Sequence, residues 1–347
     1  MIVTVNVQEF LRELELLAKV VAPKPTIPVL GNCLVQAEGT GLRLAATDLE
    51  IGLVTFCPAT VTVPGVTTLP VKHMLDVVRL LTHELIITLD KTSVKLSSGQ
   101  YNGRFQTYGP QDYPAMPSMK DLPTVTLPGN LQTMIQRVRF AVSDKNKRYY
   151  MDGAQMTGTS LAATDGHRLA YAACPDSGLT EVVIIPSKTL DKLVEMVNAE
   201  TLFAVGVQHL FFVTDGRMLF SRMVAGEFPK YERIIPKETD RLVTFGRQAL
   251  QQALQRVVLT STEVVCKFTP GVLTLTGRSA EIGDAVEQVD ITYDGPETSI
   301  SLSGAYLLDF LNVASGQTIT WAWKGAGTLL FTDGTDYRFV LMPLRAA

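Results

Sequence analysis

The 347-residue chain carries 31 Lys and Arg against 34 Asp and Glu, a formal net charge of −3, with 46% hydrophobic and 19% charged residues. This balance excludes a disordered or fibrous chain and predicts two or three compact domains. No apolar run approaches the roughly 18 residues of a membrane helix, and MIVTVNV reads as a strand rather than a leader, so a cytoplasmic protein with no membrane partner is expected. Cys33, Cys57, Cys174 and Cys266 lie 24, 117 and 92 residues apart, which excludes CxxC metal or redox sites and predicts buried thiols.

In chain order, Val7, Phe10, Leu11, Leu14, Ala18 and Val21 share one face of a first helix, and a second follows over Val71–Leu81. Short strands rich in β-branched residues lie around it, such as TVTVPGV and VKLSSGQ. Leu131, Met134, Ile135, Val138 and Val142 then form another helical face, followed by a helix over Ser187–Asn198 and the strand LFFVTDGR. Leu250, Ala253, Leu254, Val257 and Val258 open a third round, with VLTLTGR as strand and a helix over Gly304–Val313. Each round is α+β: two helices on largely antiparallel sheet.

The rounds are copies of one another. LRLAATDLEIGLVTFCP realigns with LAATDGHRLAYAACP, so that Thr47-Asp48 matches Thr164-Asp165 and Cys57-Pro58 matches Cys174-Pro175, both at an offset of 117. LPVKHMLDVV answers IPSKTLDKLV at 116, Gly103-Arg104 answers Gly216-Arg217 at 113, and Thr332-Asp333-Gly334 follows Thr214-Asp215-Gly216 at 118. Three units of about 115 residues fill the chain.

Charge is uneven on the helices. QRVRFAVSDKNKRYY sets Arg137, Arg139, Lys145, Lys147 and Arg148 against Asp144, and Arg247, Gln248, Gln251, Gln252, Gln255 and Arg256 share the polar side of the third unit's first helix. Either a solvated face or a sequence-independent phosphate-binding face fits; recurrence at equivalent repeat positions weighs against the first, and weak phosphate contacts fit better than base reading.

The motifs PTIPVLGN, ATDLE, RYYMDG, ATDGHRLA, FPKYERIIPK and FVLMPLR span the chain in order. In them the sequence resembles the bacterial DNA polymerase III beta subunit family, the sliding clamps. The resemblance implies three domains of the DNA clamp fold, at 1–122, 123–242 and 243–347. Two chains would close head to tail as a homodimer, a six-domain ring with twelve helices around the hole. It implies a non-catalytic accessory subunit without cofactor or metal, whose partners are double-stranded DNA, the replicative polymerase catalytic subunit, the clamp loader, and other polymerases and repair proteins carrying short clamp-binding peptides.

By position in the family's motifs, the DNA-facing candidates are Lys24, Lys72, Arg139, Asn146, Arg148, Tyr149 and Lys188. The resemblance maps a peptide pocket to Met151, Thr164, Gly166, His167, Arg168, Leu169, Pro229, Arg233, Ile234, Val340, Met342, Pro343, Leu344 and Arg345, with Arg168 at its rim, and a dimer seam to Phe105 and Leu259. Leu169, Ile234 and Val340 could equally be ordinary core, as could Phe105 and Leu259. Two rival readings stand beside this one. Asp165 and His167 could do acid–base chemistry, although Asp48 recurs without a following His, which suits a turn-closing role. A repeat-built binder that never encircles DNA is the other.

Overall fold

The computed structural model describes residues 1–22, 24–143, 151–325 and 327–344. Among them are six α-helices, two per repeat: α1 (Val7–Ala18), α2 (Val71–Val78), α3 (Leu131–Arg139), α4 (Ser187–Met196), α5 (Arg247–Val257) and α6 (Gly304–Val313). Local chemistry sets their ends. Asn6 starts α1 by accepting from the amides of Gln8 and Glu9 at 2.9 and 3.2 Å. The even-numbered helices begin straight from a strand, at Pro70, Pro186 and Ser303. Two of them stop short of the sequence expectation. Past Val78 the chain tightens, with the amides of Leu80 and Leu81 donating to Val77 and Val78, and at Val197 it becomes extended.

The chain divides into two compact units. The first comprises Met1–Leu127 and Glu200–Met223. Its sheet runs, by residue range, 101–106, 93–98, 85–90, 2–5, 51–63, 217–222, 209–214, 202–205 and 125–126, with 32–38, 41–47 and 65–70 attached beside strand 51–63. Strands of the second repeat thus complete the sheet of the first, and Met218 lies opposite Val54 and Ser221 opposite Ile51. α1 and α2 pack on this unit, and Glu13 of α1 takes both Arg217 Nε, at 3.0 Å, and an Arg217 terminal nitrogen at 2.5 Å, while the Thr55 hydroxyl donates to the same carboxylate. Glu13 and Thr55 are buried and Arg217 is partly so, and removing the guanidinium would leave the buried carboxylate uncompensated, at roughly 3–5 kcal/mol.

The second unit comprises Pro128–Ala199 and the chain from Val224 onward. Its sheet runs 183–186, 153–157, 160–164, 168–173, 337–341, 329–333, 318–323, 241–246, 283–292, 272–279, 263–269 and 298–303. Here strands of the third repeat complete the sheet of the second, with Arg168 opposite Leu341 and Tyr171 opposite Arg338. The core under α6 is aromatic: Phe310 stacks on Phe339 at 5.1 Å and on Tyr337 at 5.5 Å, and Trp321 meets Phe331 at 4.7 Å.

The strands also correct one alignment. Gly103-Arg104 does not match Gly216-Arg217, because Gly103 lies inside a strand opposite Leu96. The hairpin turn of the first repeat is Gly99-Gln100, between the paired Ser98 and Tyr101, and it answers Asp215-Gly216, between the paired Thr214 and Arg217, at an offset of 116.

Candidate functional site

Thr-Asp builds the same turn in two repeats. The Thr164 hydroxyl donates to the Arg168 carbonyl at 2.7 Å and accepts from the Gly166 amide at 3.1 Å, while Asp165 Oδ1 accepts from the amides of His167 and Arg168 at 2.9 and 3.1 Å. Thr47 and Asp48 do the same for Leu49, Glu50 and Ile51. The third turn residue is left-handed in both, Gly166 at φ 92° and Leu49 at φ 79°. Asp165 is therefore consumed in shaping the backbone, which answers the acid–base alternative. Thiols offer no nucleophile either: burial pushes Cys33 and Cys57 up to about 12 and raises Cys266 and Cys174.

Around the 164–169 turn the structure gathers several of the expected pocket residues and sorts them by depth. Leu169 and Val340, 1% and 2% exposed, form a core cluster with Ala162, Ile184, Phe228 and Tyr231. They are floor beneath the surface rather than surface. Met151 and Thr164 are buried too, and the Met151 methyl lies 3.6 Å from where a Cβ on Gly166 would stand. The exposed layer is Gly166, His167, Arg233, Ile234 and Met342, with Pro229 half-buried. The Met342 amide donates to the His167 carbonyl at 3.0 Å, which fixes the chain end beside the turn. Pro343 and Leu344 instead line a separate hollow of about 740 Å³ with Val265, Ile300 and Trp323, where the Leu344 amide donates to the Ser301 carbonyl at 2.8 Å. Arg345 lies outside the described residues.

Arg168 corrects the sequence reading most. It was expected at the rim, yet its side chain is 10% exposed and fully engaged. Its guanidinium reaches Asp165 at 2.9 Å, Asp309 of α6 at 2.5 Å and the Phe140 carbonyl at 2.5 Å, lying over the rings of Tyr306 and Phe140 at 4.1 and 5.2 Å. A charge that must leave water survives only with such partners.

The basic helix faces are also less open than composition suggested. Arg137 is buried, donating to Asp336 and Ser315 at 3.0 Å and lying over Tyr337 at 5.0 Å, so it drops out of any surface patch. Arg247 turns inward to the carbonyls of Gly316 and Leu311, and Arg256 pairs with Glu287. Arg139 makes a bidentate pair with Asp191, at 2.6 and 3.1 Å, on an accessible face. Lys24, Lys72 and Lys188 are exposed. Asn146, Arg148 and Tyr149 lie outside the described residues.

Neither seam candidate is core. Phe105 is half-buried on strand Tyr101–Gln106, the outer strand of its sheet. Leu259, just past α5, is 78% exposed. Strand Gly283–Thr292 pairs on one side with 272–279 along its length, but on the other only at Ile291 and Thr292, so its first half has an open edge among the described residues. Ile282 and Val286 there are 68% and 61% exposed.

Comparison with known proteins agrees with this architecture along the whole chain. Models of the DNA polymerase III beta subunit match as N-terminal domain over residues 1–117, central domain over 127–230 and C-terminal domain over 232–344. The chain is 31% identical over 368 aligned residues to the beta sliding clamp of Caulobacter vibrioides and 29% over 366 to that of Escherichia coli K12, covering 99% of each chain in both cases. The protein belongs to the DNA polymerase III beta subunit family, the beta sliding clamps. Solved structures of clamps from Pseudomonas aeruginosa and Caulobacter crescentus superpose with TM-scores of 0.94 and 0.94, at 28% and 30% identity, over 100% of each chain. The fold is thus the three-domain clamp fold, and the family is that of an accessory subunit rather than the polymerase's catalytic chain.

Sequence reasoning missed Val286 on the open edge and Ile282 just before it, because AEIGDAVEQV lacks the strict alternation that marks a strand face. It also missed Asp309 and Tyr306. They lie 141 and 138 residues from Arg168, and no local pattern connects positions so far apart.

Proposed function

We propose that two copies close head to tail into a six-domain ring that encircles duplex DNA and tethers a polymerase to it. The observation that carries this reading is a pairing rule. At both internal junctions the strand after the TD turn accepts the last strand of the next repeat, and in one register: Ile51 faces Ser221 as Arg168 faces Leu341, each the first residue of the turn-exit strand. By the same hairpin registers the third repeat's turn-exit strand is Gly283–Thr292 and the first repeat's last strand is Tyr101–Gln106. Each has an open edge among the described residues, and a partner copy would satisfy both. Transferring the register sets Phe105 against Gly283, Arg104 against Asp284, Gly103 against Ala285 and Asn102 against Val286. Leu259 and Ile282 would add the apolar seam to Phe105.

In this reading the domains are 1–122, 123–242 and 243–347. A closed ring cannot leave duplex DNA sideways, so weak, salt-screened phosphate contacts by Lys24, Lys72, Arg139, Asn146, Arg148, Tyr149 and Lys188 suffice, and no catalytic step is required. An exposed ion pair such as Arg139–Asp191 is worth about 0–1 kcal/mol, so a phosphate can compete for the guanidinium. The protein would act in the cytoplasm.

The surface around His167, Ile234 and Met342, over the Leu169–Val340 floor, would take short peptides from the replicative polymerase, the clamp loader and other client polymerases or repair proteins. Flexible Met side chains suit many clients. In a solved structure of the Caulobacter crescentus clamp a polyethylene glycol occupies the region proposed there for beta-motif tethering. The test uses overlapping fluorescein-labelled peptides tiled across the cognate polymerase. At least one should bind by fluorescence polarisation, and deleting Met342–Ala347 should weaken it by removing an anchor contact worth about 1.5–3 kcal/mol, more than tenfold. Undiminished binding would remove this surface from consideration.

A further inference from the structure

The repeat supplies an internal control for Arg168. The Thr47-Asp48 turn has the same hydrogen bonds to its backbone as the Thr164-Asp165 turn, yet its fifth position is Ile51, an apolar buried residue, where the other has Arg168. The turn therefore forms without a cation. Besides an ion pair with Asp165 of the turn itself, at 2.9 Å, Arg168 adds contacts outside the turn: Asp309 and Tyr306 on α6, and the Phe140 carbonyl that ends α3. A guanidinium at a helix C-terminus satisfies an otherwise orphaned carbonyl and complements the helix dipole.

From this we infer that Arg168 is a positioning residue of the peptide site: it docks the 164–168 turn onto α3 and α6, and so holds Gly166, His167 and the attached Met342 in the arrangement a peptide meets, without itself touching the peptide. The inference rests on the reading of this surface as a peptide site. Its energetic logic is preorganisation. A left-handed glycine turn held only at its own base samples other arrangements, and each must be given up on binding. Tying the turn to two helices removes that freedom beforehand. Asp309 acts at one remove. It sits on α6 with its carboxylate partly in water and reaches the turn only through the guanidinium.

The experiment measures the best-binding tiled polymerase peptide against the native chain, Arg168→Gln, Arg168→Lys, Asp309→Asn and the Arg168→Gln/Asp309→Asn double variant, with a thermal melt of each. Arg168→Gln should weaken the peptide by about three- to tenfold and Asp309→Asn by a smaller factor in the same direction, while the double variant is no weaker than Arg168→Gln alone, since both changes break one chain of contacts. Arg168→Lys, which can reach one acceptor but not all three, should fall between. Asp309→Asn keeps the test usable if Arg168→Gln melts early. Unchanged affinity in folded Asp309→Asn and Arg168→Lys, or additive losses in the double variant, would overturn the positioning role while leaving the site. Absence of any peptide binding to the native chain would overturn both.

Discussion

Reversing one charge on the first open edge, Arg104→Glu, tests the proposed register between copies. Among the described residues Arg104 reaches Asp90, at 3.4 Å, with both side chains more than half exposed, so that pair is worth almost nothing and leaves the guanidinium available. Opposite Asp284 of a partner it would contribute about 0.2–1 kcal/mol as a cross-strand pair, and reversal replaces that with repulsion of similar size. A two-fold ring contains the interface twice, so the change amounts to roughly 1–4 kcal/mol, or about fivefold to nearly a thousandfold in the dimer dissociation constant. Mass photometry across nanomolar concentrations would read the shift from about twice 37.9 kDa toward 37.9 kDa. Asp284→Arg alone should behave alike, and the Arg104→Glu/Asp284→Arg swap should recover most of the loss. Leu259→Lys, which removes an apolar contact at the same seam, should not be rescued by either. If the swap is no better than its two parents, the register is wrong, whatever the oligomeric state.

Two further outcomes follow from the same geometry. Replacing Arg139 and Lys188 together with Ala should leave a folded dimer and flatten the dependence of log affinity for duplex DNA on log salt by up to about two units of slope; identical slopes would remove both from the DNA-facing surface. His209 lies between the rings of Phe211 and Phe220, at 6.3 and 6.2 Å, and burial, followed by the Arg222 charge, lowers its pKa below the ordinary 6.5. The unfolded chain therefore takes up this proton first as pH falls, so the contribution of His209 is complete above about pH 6.5 and is lost toward the depressed folded value. Urea unfolding at pH 7, 6 and 5 should have a shallower pH dependence in His209→Phe than in the native protein, and equal slopes would refute the assignment.

The fold was legible where its determinants were local. Helical faces, the two TD turns and the period of 117 were written in runs of a few residues, and the six helices fall where the apolar spacing places them. Side-chain depth was not. Arg137 and Arg168 read as surface cations, because an exposed basic helix end and a buried, partnered guanidinium have the same sequence. What separates them is Asp336 and Asp309, each more than 140 residues away. The difference between the two TD turns also needed coordinates. The position opposite Val340 is Leu169, whereas the corresponding position in the first repeat is Gly52, because the Phe220 ring on the next strand occupies the space: a Cβ on Gly52 would stand 2.0 Å from its Cζ. At the first junction the place that Leu169 takes in the second is thus filled by a ring of the same chain.

The ring itself is tested most directly by topology. The protein should be loaded by its clamp loader onto a nicked circular duplex, passed through a sizing column, and the DNA then cut once with a restriction enzyme. A clamp that encircles DNA should co-elute with the closed circle at salt concentrations that abolish ordinary phosphate binding, and should be lost on linearisation unless the ends are blocked by bound protein. Equal retention on circular and linear DNA would contradict the account, because an open binder does not sense the ends.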